Sequence, residues 1–207
     1  MSTELTGIVL CGGESRRMGA DKGLLPWAPP GAAAPAPGAP PAAPARPTAA
    51  DTPPTAAAPP LTWAGRAVAL IERQGLPWLI SVRSAQVDTY EKLFGDRLVL
   101  DDGEAPGPLG GLLSAYHACP GTDLLLLACD MTAIDEAILD ELLKAYKNIP
   151  DEDFFVYQTD GFAEPFPGIY RARAIKPVES LQLLLRGGRT HFLPVTRPEA
   201  FINRNTP

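Results

Sequence analysis

The chain has 207 residues, 45% of them hydrophobic and 20% charged, which is enough apolar material for one sizeable core and predicts a single domain. A formal charge of -6 at pH 7 excludes the general basic field that would hold a nucleic acid or an anionic membrane surface. With neither a basic leader nor a run approaching about 18 apolar residues, the sequence reads as cytoplasmic with no membrane span.

In chain order, Gly7 to Leu10 reads as a buried strand that runs into a glycine-rich turn through Arg17 and Met18. The composition then changes abruptly: Ala28 to Pro60 holds 12 of the 24 prolines and no large aliphatic or aromatic residue. Each proline fixes φ and removes a donor, so an extended or disordered insert is predicted at about 28–61 rather than a core element. A docking tract for a partner domain is the alternative, and it lacks the basic residues that usually flank such ligands. Without the insert, residues 24–27 join 62–66 in a continuous strand, turn and helix pattern.

Val68 to Gln74 continues as a helix, Trp78 to Val82 is a second strand, Tyr90 to Phe94 is helical and Arg97 to Leu100 is a third strand. A Gly-Pro-Leu-Gly-Gly turn opens a helix over Leu109 to His117, and Asp123 to Ala128 is a fourth, very apolar strand ending at Cys129 and Asp130. There follow an amphipathic helix at Ile134 to Lys147 and strands at Asp153 to Gln158 and Glu164 to Arg171. A helix at Ala174 to Arg186 and a last short strand at Phe192 to Val195 complete the pattern. This alternation predicts an α/β, Rossmann-like fold: a mostly parallel sheet with helices on both faces and its ligands at the C-terminal strand ends.

Cys11, Cys119 and Cys129 are odd in number and lack metal-ligand spacing, so they read as reduced residues of the interior. His117 and His191 have no matched serine or cysteine, which leaves a catalytic triad unsupported.

The string Gly7-Ile-Val-Leu-Cys-Gly-Gly-Glu-Ser-Arg-Arg-Met-Gly-Ala-Asp-Lys22 carries the strongest chemical signal. Gly12 and Gly13 let backbone N–H groups approach phosphate oxygens, and Arg17 and Lys22 supply charge for a leaving pyrophosphate. No Gly-Lys-Ser or Gly-Lys-Thr follows, and there is no GxGxxG, so neither common phosphate loop is present. Asp130 ends an apolar strand, where its carboxylate suits a magnesium ion or, alternatively, caps the helix that starts near Ile134.

The same string, followed by Gly-Leu-Leu-Pro, resembles the signature of molybdenum cofactor guanylyltransferases, which attach GMP to molybdopterin. Three more stretches match in order: Gly107 to Ala115, Leu126 to Met131, and Phe201 to Pro207 with its Asn-x-Asn-Thr-Pro pattern. The resemblance implies a nucleotide-diphospho-sugar transferase type of fold, Mg2+ as cofactor, and GTP and molybdopterin (or molybdenum cofactor) as partners. It also implies transient contact with proteins that supply or accept the cofactor. By resemblance Arg17, Lys22 and Asp130 are catalytic, and Asp130 holds the metal. Leu10, Cys11, Gly12, Gly13, Lys22, Ser81, Asp101 and Asp130 bind the nucleotide, with Asp102 as the neighbouring alternative to Asp101. Asn203 and Asn205 line the acceptor side, where on their own they read as turn residues. Ser81 departs from the pattern, since some relatives carry asparagine there, and relatives continue past Pro207 into a final helix. Transfer of CMP to molybdopterin, nucleotidyl transfer to a sugar phosphate, and a non-catalytic nucleotide or cofactor carrier are the competing expectations.

Overall fold

The computed structural model describes residues 4–12, 21–27, 61–101, 103, 105 and 107–203. The insert expected at about 28–61, apart from its last residue, lies outside them, as do Gly13, Arg17, Asp102 and Asn205.

The described chain alternates as expected. Strand β1 (Leu5–Leu10) is followed by a 3-10 turn at Lys22–Leu24, helix α1 (Trp63–Arg73), β2 (Trp78–Val82), α2 (Val87–Phe94) and β3 (Leu98–Leu100). Next come α3 (Pro108–Ala118), β4 (Asp123–Ala128), α4 (Glu136–Asn148), β5 (Phe154–Thr159), β6 (Phe162–Tyr170), α5 (Leu181–Arg186) and β7 (Thr190–Pro194). One seven-stranded sheet has the order β3-β2-β1-β4-β6-β5-β7. Only β6 runs antiparallel to its neighbours; the other pairs are parallel. The chain steps outward from β1 through β2 to β3 and then returns to the other side of β1 as β4. The reversal point at which open α/β sheets bind ligands therefore lies between β1 and β4.

The helix starts follow from capping chemistry. Thr62 Oγ1 accepts a hydrogen bond from Gly65 N (3.1 Å) at the start of α1, and Asp135 Oδ1 accepts one from Ile138 N (3.1 Å) at the start of α4. The helix expected over Ala174 to Arg186 is shorter than its leucine spacing suggests. A 3-10 turn occupies Ala172–Ala174, and only Leu181–Arg186 is α-helical, with Ser180 Oγ accepting from Leu183 N as its cap. Pro177 cannot donate to a helical ladder and biases the residue before it away from helix, which ends the earlier turn.

The core lies on both faces of the sheet because both faces are covered by helices. Val9, Leu125 and Leu127 pack with Ile71 of α1 and Leu139 of α4, while Ile8, Leu124 and Leu126 pack with Leu112 of α3 and Leu184 of α5. Leu124 to Leu127 have no solvent exposure, and each such side chain contributes roughly 1.5–3 kcal/mol. Gly7 is what lets α1 approach β1, since a Cβ there would lie 2.4 Å from Ile71 Cγ2. On either side of residues 28–60, Pro26 and Thr62 form an antiparallel bridge. Trp27 N donates to Leu61 O (3.1 Å) and Trp63 N to Leu25 O (3.0 Å). Among the described residues, no helix is long and apolar enough to cross a membrane.

Candidate active site

Parallel pairing brings three strand ends together. Leu10 lies opposite both Ser81 and Ala128. Cys11 N donates to Ser81 O (2.9 Å) and Cys129 N to Leu10 O (3.2 Å). The residues that follow, Cys11 and Gly12 on one side and Cys129 and Asp130 on the other, therefore leave the sheet side by side. Helix α3 closes the third side through its glycines, which have no Cβ to hold it off. A Cβ at Gly111 would lie 2.7 Å from Leu10 Cδ2 and 2.9 Å from Ser81 Oγ, and one at Gly110 would lie 2.8 Å from Asp101 Oδ1.

These ends surround a cavity of about 870 Å3, a size suited to a nucleotide-sized ligand. Leu10, Cys11, Gly12, Lys22, Ser81, Asp101, Asp130 and Asn203, expected from sequence, all line it. Arg83 and Ser84 line it too and were not foreseen, and so does Phe166, which the resemblance sets on an acceptor-facing strand without a firm role. Arg83 follows β2, and Phe166 lies on β6. The places of Arg83 and Ser84 come from topology, and no motif in the sequence marks them; an arginine just past an apolar strand was the one available cue.

Lys22 Nζ lies 3.5 Å from Asp130 Oδ2, with both side chains about one-fifth exposed. Asp135, not Asp130, caps α4, so Asp130 serves the cavity and not the helix. Asp101 Oδ1 accepts from Gly103 N (3.3 Å), and a Cβ at Gly12 would lie 3.1 Å from Asp101 Oδ2. The missing side chain at Gly12 leaves room for the Asp101 carboxylate beside the glycine loop. Ser81 is 1% exposed, and its Oγ has no hydrogen-bond partner among the described residues. An unpaired buried hydroxyl costs about 1–3 kcal/mol, so a ligand that hydrogen-bonds it recovers that loss. Burial, reinforced by the adjacent Cys129 thiol, holds the Cys11 thiol well above its ordinary pKa, and it stays protonated at neutral pH. A neutral buried thiol is a wall of the site and not a nucleophile.

The description MobA-like NTP transferase domain matches residues 7–195. The chain belongs to the MobA-like NTP transferase family. It is accordingly a nucleotidyltransferase. A probable molybdenum cofactor guanylyltransferase of Methanothermobacter thermautotrophicus is 28% identical over 84% of this chain and 74% of that protein. The chain spans 41% of a bifunctional molybdenum cofactor biosynthesis protein of Synechocystis, at 27% identity. Among solved structures, molybdopterin-guanine dinucleotide biosynthesis protein A from Archaeoglobus fulgidus superposes with a TM-score of 0.66 at 17% identity, covering 98% of this chain and 93% of that one. A Mycobacterium tuberculosis protein in complex with manganese gives 0.58 at 15% identity, covering 93% and 89%. At such identities these structures establish a shared fold.

Proposed function

We propose that this family member transfers GMP from GTP to the terminal phosphate of molybdopterin and releases pyrophosphate. The observation that carries the reading is the convergence of Lys22 and Asp130 at the mouths of β1 and β4, inside one cavity with Gly12, Ser81 and Asp101. An acceptor phosphate oxygen forms a bond to the α-phosphorus while the bond from that phosphorus to the bridging oxygen breaks, its electron pair leaving with pyrophosphate. A phosphate monoester is already ionised at neutral pH and needs no strong base, so positioning and charge stabilisation carry the catalysis.

Lys22 neutralises the departing phosphates, and Arg17 of the same loop is assigned that role beside it. Leu10, Cys11, Gly12, Gly13, Ser81 and Asp101 hold the nucleoside end, with the orphaned Ser81 hydroxyl a built partner for it. Asn203, which lines the cavity, is assigned to the acceptor together with Asn205. Among the described residues no group of three or more histidine, cysteine, aspartate or glutamate side chains could hold a metal ion alone. That fits magnesium, which is commonly held by one or two carboxylates together with substrate phosphates. Bound at Asp130, the ion would supply positive charge to phosphate oxygens. The Lys22 ammonium lies 3.5 Å from that carboxylate.

Pyrophosphate release from each of the four ribonucleoside triphosphates, with magnesium and with or without molybdopterin, tests the reading. Release from GTP that requires molybdopterin is expected. Preference for CTP would move the chain to cytidylyl transfer, and GTP binding without release would make it a carrier. Lys22→Ala is expected to weaken GTP binding and turnover together, by on the order of tenfold or more each.

A further inference from the structure

Beneath the cavity lies a polar cluster that the reaction does not use directly. Asp21, the residue before Lys22, has no fewer than three hydrogen bonds to its carboxylate. Oδ1 accepts from Gly23 N (3.0 Å) and from the Tyr90 hydroxyl (3.0 Å), and Oδ2 accepts from Gln86 Nε2 (2.6 Å). The same Gln86 Nε2 donates to Cys11 O (3.2 Å), and Gln86 Oε1 accepts from Arg83 N (2.9 Å). Gln86 thus touches three segments whose neighbours line the cavity: the end of β1, the residue before Lys22, and Arg83. Tyr90 has no solvent exposure and stacks on Phe94, with ring centroids 5.7 Å apart. The packing leaves no slack, since a Cβ at Gly23 would lie 2.2 Å from the Tyr90 hydroxyl and 3.2 Å from Cys11 Sγ.

We propose that Gln86 and Tyr90 are positioning residues for the nucleotide: through Asp21 they fix the backbone that carries Lys22, and through its own amide they fix Arg83. The crossover after β2 therefore fixes the backbone at two cations that line the cavity, Lys22 and Arg83, although neither Gln86 nor Tyr90 belongs to the phosphate-loop string. The inference rests on the proposed nucleotide site. Its energetic basis is that hydrogen bonds to a charged acceptor are stronger than neutral ones and hold geometry in proportion. A lysine or arginine displaced by about an ångström loses much of its catalytic value.

Gln86→Glu makes this testable, because it keeps the acceptor for Arg83 N and replaces the donor to Asp21 with a second carboxyl. Two carboxyls at such a distance do not both ionise readily, so they share a proton at low pH and repel at high pH. Among the described residues, the titratable and charged groups around position 86 are Asp21 beside Lys22, Cys11 just past β1, the Tyr90 phenol from α2, and Arg83 on its own turn. Burial raises the pKa of both Cys11 and Tyr90, so neither titrates near neutrality.

The measurement is the GTP dissociation constant of wild type and Gln86→Glu by calorimetry, between about pH 6 and about pH 9. The variant-to-wild-type ratio is expected to be near one at the acidic end and to rise about tenfold at the alkaline end, with far-UV circular dichroism unchanged. A ratio near one at every pH, or a loss of thermal stability with wild-type GTP affinity throughout, would overturn the inference; a ratio raised at every pH supports it. Should that variant not fold, Gln86→Met is expected to weaken GTP about tenfold at every pH, and wild-type affinity there overturns it equally. Failure of the wild type itself to bind GTP would overturn the functional reading and this inference with it.

Discussion

Strand β4 has an aspartate at each end, and the two live in opposite worlds. Asp123, at the start of the strand, is 2% exposed. Its Oδ2 accepts from the Tyr146 hydroxyl (2.7 Å) and Arg171 Nη1 (3.3 Å), and its Oδ1 from Ala172 N (2.8 Å). Arg171 in turn donates to Glu152 O and Tyr146 O and lies 4.4 Å from the Tyr146 ring centroid. Asp130, just past the other end, opens onto the cavity and faces Lys22 at 3.5 Å. A carboxylate surrounded by donors from its own protein has no capacity left for a ligand. One held at a cavity wall beside a single ammonium keeps that capacity, and this difference separates a structural charge from a chemical one.

Substitution at the two ends should separate the roles, starting with the larger effect. Asp123→Ala strands Arg171 and the Tyr146 hydroxyl in a buried site and is expected to cost about 3–5 kcal/mol of stability in a denaturant titration. Turnover per folded molecule should stay near that of the wild type. Asp130→Ala is expected to do the reverse, with pyrophosphate release falling on the order of 10²–10³-fold. Its thermal midpoint should move by less than about 2 °C, and nucleotide binding should suffer less than turnover. Normal turnover in Asp130→Ala, or lost turnover with normal stability in Asp123→Ala, would dissolve the contrast.

A third aspartate tests whether the division is as sharp as two ends suggest. Asp135 caps α4 and pairs with Arg197 Nη1 (2.6 Å) and Nη2 (2.8 Å), yet both side chains are more than 40% exposed. The Arg197 hydrogen bonds hold its carboxyl below the usual carboxylate range against the opposing effect of burial. Because the folded-state value is depressed, the stabilisation is present above the unfolded value near about pH 4 and is lost as pH falls through the folded one. Solvent screening keeps the ion pair weak, so Asp135→Ala should cost only about 1 kcal/mol at neutral pH, mostly the cap. The difference from wild type should shrink in acid melts.

What could be read from sequence follows the same contrast. Lys22 and Asp130 were legible because each sits in a contiguous string whose spacing implies a strand end, and the structure brings both to one cavity. The sheet was legible because strands buried on both faces read as unbroken apolar runs, as Leu124 to Leu127 do. Asp123 with Arg171 was not, since the partners stand 48 residues apart and meet only when β6 pairs with β4. Arg83 and Gln86 were not legible for a related reason: they sit in a short turn between strand and helix with no periodic pattern to mark it. The over-long helix ending at Arg186 came from trusting leucine periodicity past Pro177.

The bridge between Pro26 and Thr62 makes the stretch between them a single point of attachment, because the chain leaves and re-enters the fold at adjacent residues. The distance its ends must span is set by paired backbone, and for flexible chain each doubling of length adds only about 0.6 kcal/mol of closure cost. That position lies downstream of Lys22 and outside the sheet order, so a foreign module carried there, such as a reporter or an affinity tag, would ride on the enzyme without entering its core. Lengthening, replacing or deleting the stretch is expected to leave the strand ends that hold the cavity in their places.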